Sequence, residues 1–124
     1  MSNNLKFIKF GEDFDQNIDN LPDSVEILKL GYFYLTKINK FPKMLKKLKF
    51  DINNDYFDSL NNLPSGLEYL KIAACYDRKI TKFPPNLRVF STNNGNYNHN
   101  IDNLPDSVEK IVLGKGFQQN VKKL

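Results

Sequence analysis

The chain has 124 residues, 40% of them hydrophobic, with ten Phe, six Tyr, no Trp and a formal charge of +4. That length suits one domain with its own core. A single Cys and a single His exclude an internal disulfide and any zinc site built from those residue types, and no apolar run approaches the roughly 20 residues of a membrane-spanning helix.

From Leu5 onward the chain reads as repeated units, with approximate bounds 5–24, 25–44, 45–66, 67–86, 87–107 and 108–124. The first unit sets Leu5, Ile8 and Phe10 before Gly11, then Phe14, Ile18 and Leu21-Pro22. The second follows with Val25, Leu28, Leu30, Gly31, Tyr34, Ile38 and Phe41-Pro42. The third has Leu45, Leu48 and Phe50, two extra residues within DINND, then Tyr56, Leu60 and Leu63-Pro64. Leu67, Leu70, Ile72, Tyr76, Ile80 and Phe83-Pro84 make the fourth. The fifth runs through Leu87, Phe90 and Thr92, gains one residue within NNGN, and continues to Tyr97, Ile101 and Leu104-Pro105. Val108, Ile111, Leu113, Gly114, Phe117, Val121 and Leu124 form the last.

The repeated prolines are 20, 22, 20 and 21 residues apart, and the decapeptide NIDNLPDSVE occurs unchanged at Asn17–Glu26 and Asn100–Glu109. Such a period marks a solenoid, in which each unit buries its apolar side chains only against its neighbours. Apolar residues two apart, such as Leu28 and Leu30, point to one face of a strand. The return between strands is short and carries proline, which breaks a helix interior. The expected fold is therefore a mostly β member of the α/β-type repeat solenoids. It is a right-handed, leucine-rich-repeat-like stack of about six units of 20–22 residues. A parallel sheet forms its concave face, and irregular, extended or 3-10 segments form its convex face. The extra residues in DINND and NNGN map to loops on one edge.

These elements resemble the FNIP repeat, a relative of the leucine-rich repeat found in amoebal and giant-virus proteins. The matching series is strand, Gly, aromatic, Ile and Leu-Pro-x-x-Leu, seen best in FGEDFDQNIDNLPDSV and again in LGKGFQQNVKKL. The position that the family fills with Asn reads Asp15, Leu35, Phe57, Asp77, Asn98 and Gln118 here. The resemblance implies a solenoid for protein binding. Because such repeats often accompany an F-box, it also implies a substrate-recognition part of a ubiquitin-ligase-type adaptor.

Two polar columns fall on the strands. Lys6, Glu26, Lys46, Glu68, Arg88 and Glu109 alternate in sign. Strands stacked about 4.8 Å apart would place each charge between opposite neighbours, a structural arrangement. The column Lys9, Lys29, Lys49, Lys71, Ser91 and Val112 has no such alternation. Beside it runs Phe7, Ile27, Lys47, Tyr69, Val89 and Lys110. Phe7, Lys9, Ile27, Lys29, Lys47, Lys49, Tyr69, Lys71, Val89 and Lys110 are the candidate partner-binding face. A mixed basic and apolar surface fits an acidic, partly apolar protein partner. The competing reading is that lysines keep a flat sheet soluble. Nucleic acid is less favoured: the lysines could meet phosphates, but few exposed aromatics are available for bases.

No catalytic or cofactor motif stands out. His99 in YNHN reads as a loop residue, and a Cys75–His99 nucleophilic pair lacks a third, orienting group. Asn53, Asn54, Asp55, Asp58, Asn93, Asn94 and Asn96 are oxygen-bearing, but their spacing fits no calcium loop, and turn formation accounts for them. One cysteine and no leader-like start lead to the expectation of a cytoplasmic protein. Neither end reads as a polar cap, which leaves three expectations: a piece of a longer array, end-to-end stacking of copies, or exposed ends tolerated in a small protein.

Overall fold

The computed structural model describes residues 4–92 and 95–121. Six short strands follow one another: β1 (Phe7–Lys9), β2 (Ile27–Leu30), β3 (Lys47–Phe50), β4 (Tyr69–Lys71), β5 (Val89–Ser91) and β6 (Lys110–Val112). They form one parallel sheet in sequence order, each strand pairing only with its chain neighbours. The result is a mostly β parallel solenoid of about five turns. Among the described residues there is no helix, α or 3-10; turns, bends and extended segments return the chain.

Local hydrogen bonds explain how so short a return is made. In all five complete units an i→i+3 bond of 3.2 Å closes Pro-x-x-Leu/Val, as from the Val25 N–H to the Pro22 carbonyl. Proline presets its own φ and needs no donor there. A second turn precedes the aromatic (Tyr34 N–H to Gly31 carbonyl, 3.3 Å), and a third precedes the last leucine (Leu21 N–H to Ile18 carbonyl, 3.2 Å). Gly31 sits at a close approach: a Cβ there would lie 2.5 Å from the Gly11 carbonyl oxygen. Gly11 itself faces open space, so its bend does not demand glycine by contact.

The strands are pinned at their first residue. The carbonyl of Lys6 accepts both the Glu26 and the Ile27 N–H, at 2.8 and 3.0 Å, and Glu26, Lys46, Glu68 and Arg88 repeat the arrangement. A carbonyl has two lone pairs, and here each uses both for the next coil.

The predicted apolar columns fill the core. Val25, Leu45, Leu67 and Leu87 are buried, as are Leu28, Leu48, Leu70 and Phe90, and so are Leu30, Phe50, Ile72 and Thr92. At the outer coils Leu5, Ile8, Phe10, Phe14, Val108, Ile111, Leu113 and Phe117 are half-buried against that core. Val121, expected to point inward, is 38% exposed, and Leu124 lies outside the described residues.

The aromatic column stacks nearly parallel, with ring centroids 6.1 Å apart for Phe14–Tyr34, 6.3 Å for Tyr34–Tyr56 and 6.4 Å for Tyr76–Tyr97. Its hydroxyls also serve the backbone. Tyr56 Oη accepts the Ile38 N–H at 3.0 Å, Tyr76 Oη accepts that of Leu60 at 3.0 Å, and Tyr97 Oη accepts that of Ile80 at 3.2 Å. Burial raises the pKa of each phenol, that of Tyr76 to about 12. Tyr34 Oη is buried without a partner.

Candidate binding face

The register confirms the two outward columns. Lys9, Lys29, Lys49, Lys71, Ser91 and Val112 are successive cross-strand partners, and so are Phe7, Ile27, Lys47, Tyr69, Val89 and Lys110. Phe7, Lys9 and Lys110 are exposed, and the other seven candidate residues are half-buried. Ser91 departs from the pattern: it is only 6% exposed, so the basic row spans β1 to β4 alone.

Four lysines in register repel one another, and no acidic column stands between them. Aromatic rings partly take that role. Lys29 Nζ lies 5.3 Å from the Phe7 ring centroid, while Lys47 and Lys49 Nζ lie 4.9 and 5.3 Å from that of Tyr69. The negative face of a ring attracts an ammonium by roughly 0.5–1 kcal/mol at exposed sites. Lys49 still feels its surroundings: partial burial first, then the charges of Lys71 and Lys47, lower its pKa.

Two open grooves border these columns. The larger, of about 730 Å³, has Lys9, Lys29, Lys49 and Lys71 along one side. Phe10, Leu30, Gly31 and Phe50 also line it, as do Glu12, Tyr32, Asp51 and Ile52 from the segments that follow the strands. The smaller, of about 380 Å³, lies between the second outward column (Ile27, Lys47, Tyr69, Val89) and the alternating charges. Those charges pair as their order predicts in three places: Lys6–Glu26 at 3.3 Å, Arg88–Glu68 at 3.9 Å and Arg88–Glu109 at 2.9 Å. Lys46 closes no ion pair within 4 Å among the described residues.

Sequence reasoning missed the exposed apolar residues that follow the strands of units two and three. Tyr32 and Ile52 line the larger groove, and Phe33, Leu35 and Phe57, the last 61% exposed, lie in the same two units outside it. The signal was present in the columns. Where unit one has Glu12, Asp13 and Asp15, unit two has Tyr32, Phe33 and Leu35.

The position after the aromatic also proves to be a working ladder. Asp15 Oδ1 accepts the Leu35 and Thr36 N–H groups, both at 2.8 Å, and the Thr36 hydroxyl at 2.8 Å. Asp77 Oδ1 accepts the Asn98 N–H at 2.9 Å, and Asn98 Oδ1 that of Gln118 at 2.8 Å. A carboxylate oxygen replaces the amide oxygen without loss of the acceptor. Leu35 and Phe57 cannot accept a hydrogen bond through their side chains, so the ladder breaks where the exposed apolar cluster stands.

The remaining candidates resolve structurally. Asn54 is fully buried and donates Nδ2 to the Gly31 carbonyl at 2.7 Å and the Tyr34 carbonyl at 2.9 Å, while its Oδ1 accepts the Tyr56 N–H at 2.6 Å. It is thus occupied as a backbone plug rather than a metal ligand. Asn93 and Asn94 lie outside the described residues. No group of three or more His, Cys, Asp or Glu suited to a metal ion occurs among the described residues. His99 Nε2 is held by Asp77, 2.7 Å from its carbonyl oxygen and 3.0 Å from Oδ1. A hydrogen bond with Asp55, together with that residue's charge, raises the pKa of the exposed Cys75 thiol, the opposite of what activates a nucleophile. No helix among the described residues is long and apolar enough to cross a membrane.

The FNIP Repeat family model matches residues 1–33, which span Gly11, Phe14, Ile18, Leu21-Pro22 and the start of the second unit. The similarity to the FNIP repeat is thus shown for this first stretch. Neither the curated proteins nor the solved structures return a match. In this solenoid the matched strand, turn and Leu-Pro elements recur to build the scaffold, whereas the lysine row and the exposed apolar residues are laid upon it. The scaffold is a repeat-protein fold, suited to presenting a surface of this kind.

Proposed function

We propose that the chain is a non-catalytic protein-recognition module that binds an acidic, partly apolar protein through the outward face of its sheet. One observation carries this reading. Lys29, Lys49 and Lys71 stand in one register beside exposed or half-exposed Phe7, Ile27 and Tyr69, with no acidic column between them. Uncompensated like charge next to accessible apolar surface favours a complementary partner. A leucine-rich-repeat-like curvature with this sheet on its concave side, in a cytoplasmic protein, belongs to the same reading. So does the role of substrate-recognition part in a ubiquitin-ligase-type adaptor.

The test replaces Lys29, Lys49 and Lys71 together by Glu. These side chains point away from the core, so circular dichroism and thermal unfolding should remain close to those of the original chain. Capture of the native partner from cell extract should be lost. Undiminished capture by a folded triple variant would move the binding surface elsewhere on the solenoid.

A further inference from the structure

The larger groove has a geometry that selects the shape of its occupant. We infer that it takes an amphipathic α-helix of a protein partner, laid across β1 to β4, with an acidic stripe over the lysine row and an apolar stripe against Tyr32 and Ile52. This inference rests on the reading of the sheet face as a protein-binding surface.

The argument is one of spacing. Adjacent parallel strands lie about 4.8 Å apart, so Lys9, Lys29, Lys49 and Lys71 form a row about 14 Å long with a rung every 4.8 Å. An α-helix returns the same face every turn, about 5.4 Å. Acids at i, i+4, i+7 and i+11 rise by about 6.0, 10.5 and 16.5 Å and so stay within about 2 Å of all four lysines, within reach of a flexible lysine stem. An extended strand presents one face only about every 6.6 Å and is more than about 5 Å out of step by the fourth lysine.

The lining contributed by the segments after the strands fixes how the helix is turned. Tyr32 and Ile52 offer exposed apolar contact there, and Glu12 and Asp51 repel an acidic stripe. Acids are thus directed to the lysine row and apolar residues to Tyr32 and Ile52. The same Glu12 and Asp51 disfavour a nucleic-acid strand, whose phosphates carry charge along their whole length. The groove is open to solvent rather than an enclosed cavity, as a helix-in-groove contact requires.

The experiment uses fluorescein-labelled 15-residue peptides with Glu at positions 1, 5, 8 and 12. One version sets a Leu stripe one residue ahead of the acids and another one residue behind, to cover both helix directions. A control of the same composition carries a central Pro. Fluorescence anisotropy against the full chain should show one Leu version binding at least tenfold more tightly than its Pro control, with helix gained by circular dichroism. Affinity should fall at least tenfold in I52D, and again in the Lys29, Lys49 and Lys71 to Glu variant. Equal binding of the Pro control overturns the helix and leaves a charge-reading face. Tighter binding of a labelled 20-nucleotide uridine RNA overturns it in favour of a polyanion. No peptide binding also overturns it; the face reading then stands if cell-extract capture still depends on the three lysines, and falls with it if not.

Discussion

The Tyr56 hydroxyl accepts the Ile38 N–H at 3.0 Å, so a side chain of the third coil completes the backbone of the second. Both atoms are removed from water, and no other donor or acceptor replaces the pair. Tyr56→Phe leaves a buried N–H unsatisfied at a cost of about 1–3 kcal/mol. Tyr34 occupies the same column, yet its hydroxyl has no partner, so Tyr34→Phe should be neutral or stabilising. Urea unfolding of the two variants measures the contrast, and equal losses would refute the assignment of these hydroxyls.

Asn54 offers a sharper case, since its amide uses both ends. Asn54→Ala removes the bonds to Gly31, Tyr34 and Tyr56 and opens a gap, with an expected loss of about 3 kcal/mol. Asn54→Asp keeps the shape and the acceptor but puts a carboxylate oxygen beside two carbonyls. It should be at least as damaging at pH 7, as thermal unfolding would show. A benign Asp variant would mean that the amide nitrogen contributes nothing.

Stacked glycines should respond unequally to the same change. Gly31→Ala sets a Cβ 2.5 Å from the Gly11 carbonyl oxygen, a backbone atom that cannot swing aside, and should cost about 1–3 kcal/mol. Gly11→Ala meets nothing within 4 Å and should shift the unfolding midpoint little. The order of the two midpoints checks the inter-coil contact.

Acid should loosen the exposed ladder. The backbone N–H of Leu35, with the Thr36 hydroxyl and N–H, holds the Asp15 pKa below the ordinary carboxylate value, and the Asn39 side chain does the same for Asp19. A folded pKa below the unfolded one gives stability that is present above about pH 4 and is lost as pH falls through the folded value. The chain should therefore hold its stability from pH 7 to about pH 5 and lose it below about pH 4. Asp15→Asn keeps the acceptor and removes the charge, so its stability should fall less between pH 5 and pH 2. Parallel acid profiles for the two proteins, followed by urea titration, would contradict this role for Asp15.

The scaffold was legible because every coil repeats the same demand. Leu28 and Leu30 two residues apart, and a Leu-Pro or Phe-Pro in each return, fix strand and turn by local rules. The register of the lysine row followed directly. What escaped were features that depend on a neighbouring coil rather than on the residue's own unit. The cation–ring contacts are diagonal for Lys29 with Phe7 and for Lys49 with Tyr69, and a list of single columns does not display diagonals. The Asp15 ladder escaped because Asp and Asn look like a departure from a consensus, while the geometry asks only for an oxygen. Tyr32 and Ile52 were hidden by their place in turns, where the sequence gives no periodicity to say which side faces water.

The three tyrosine bonds all run the same way along the stack, from the amide of one coil to the accepting hydroxyl of the coil after it. A chain leaving the ribosome presents the earlier of two coils first. The Ile38 amide must therefore wait, hydrated, until Tyr56 has been synthesised 18 residues later. Maturation thus trails synthesis by one coil and proceeds directionally, like a zip whose slider sits behind the tooth just made.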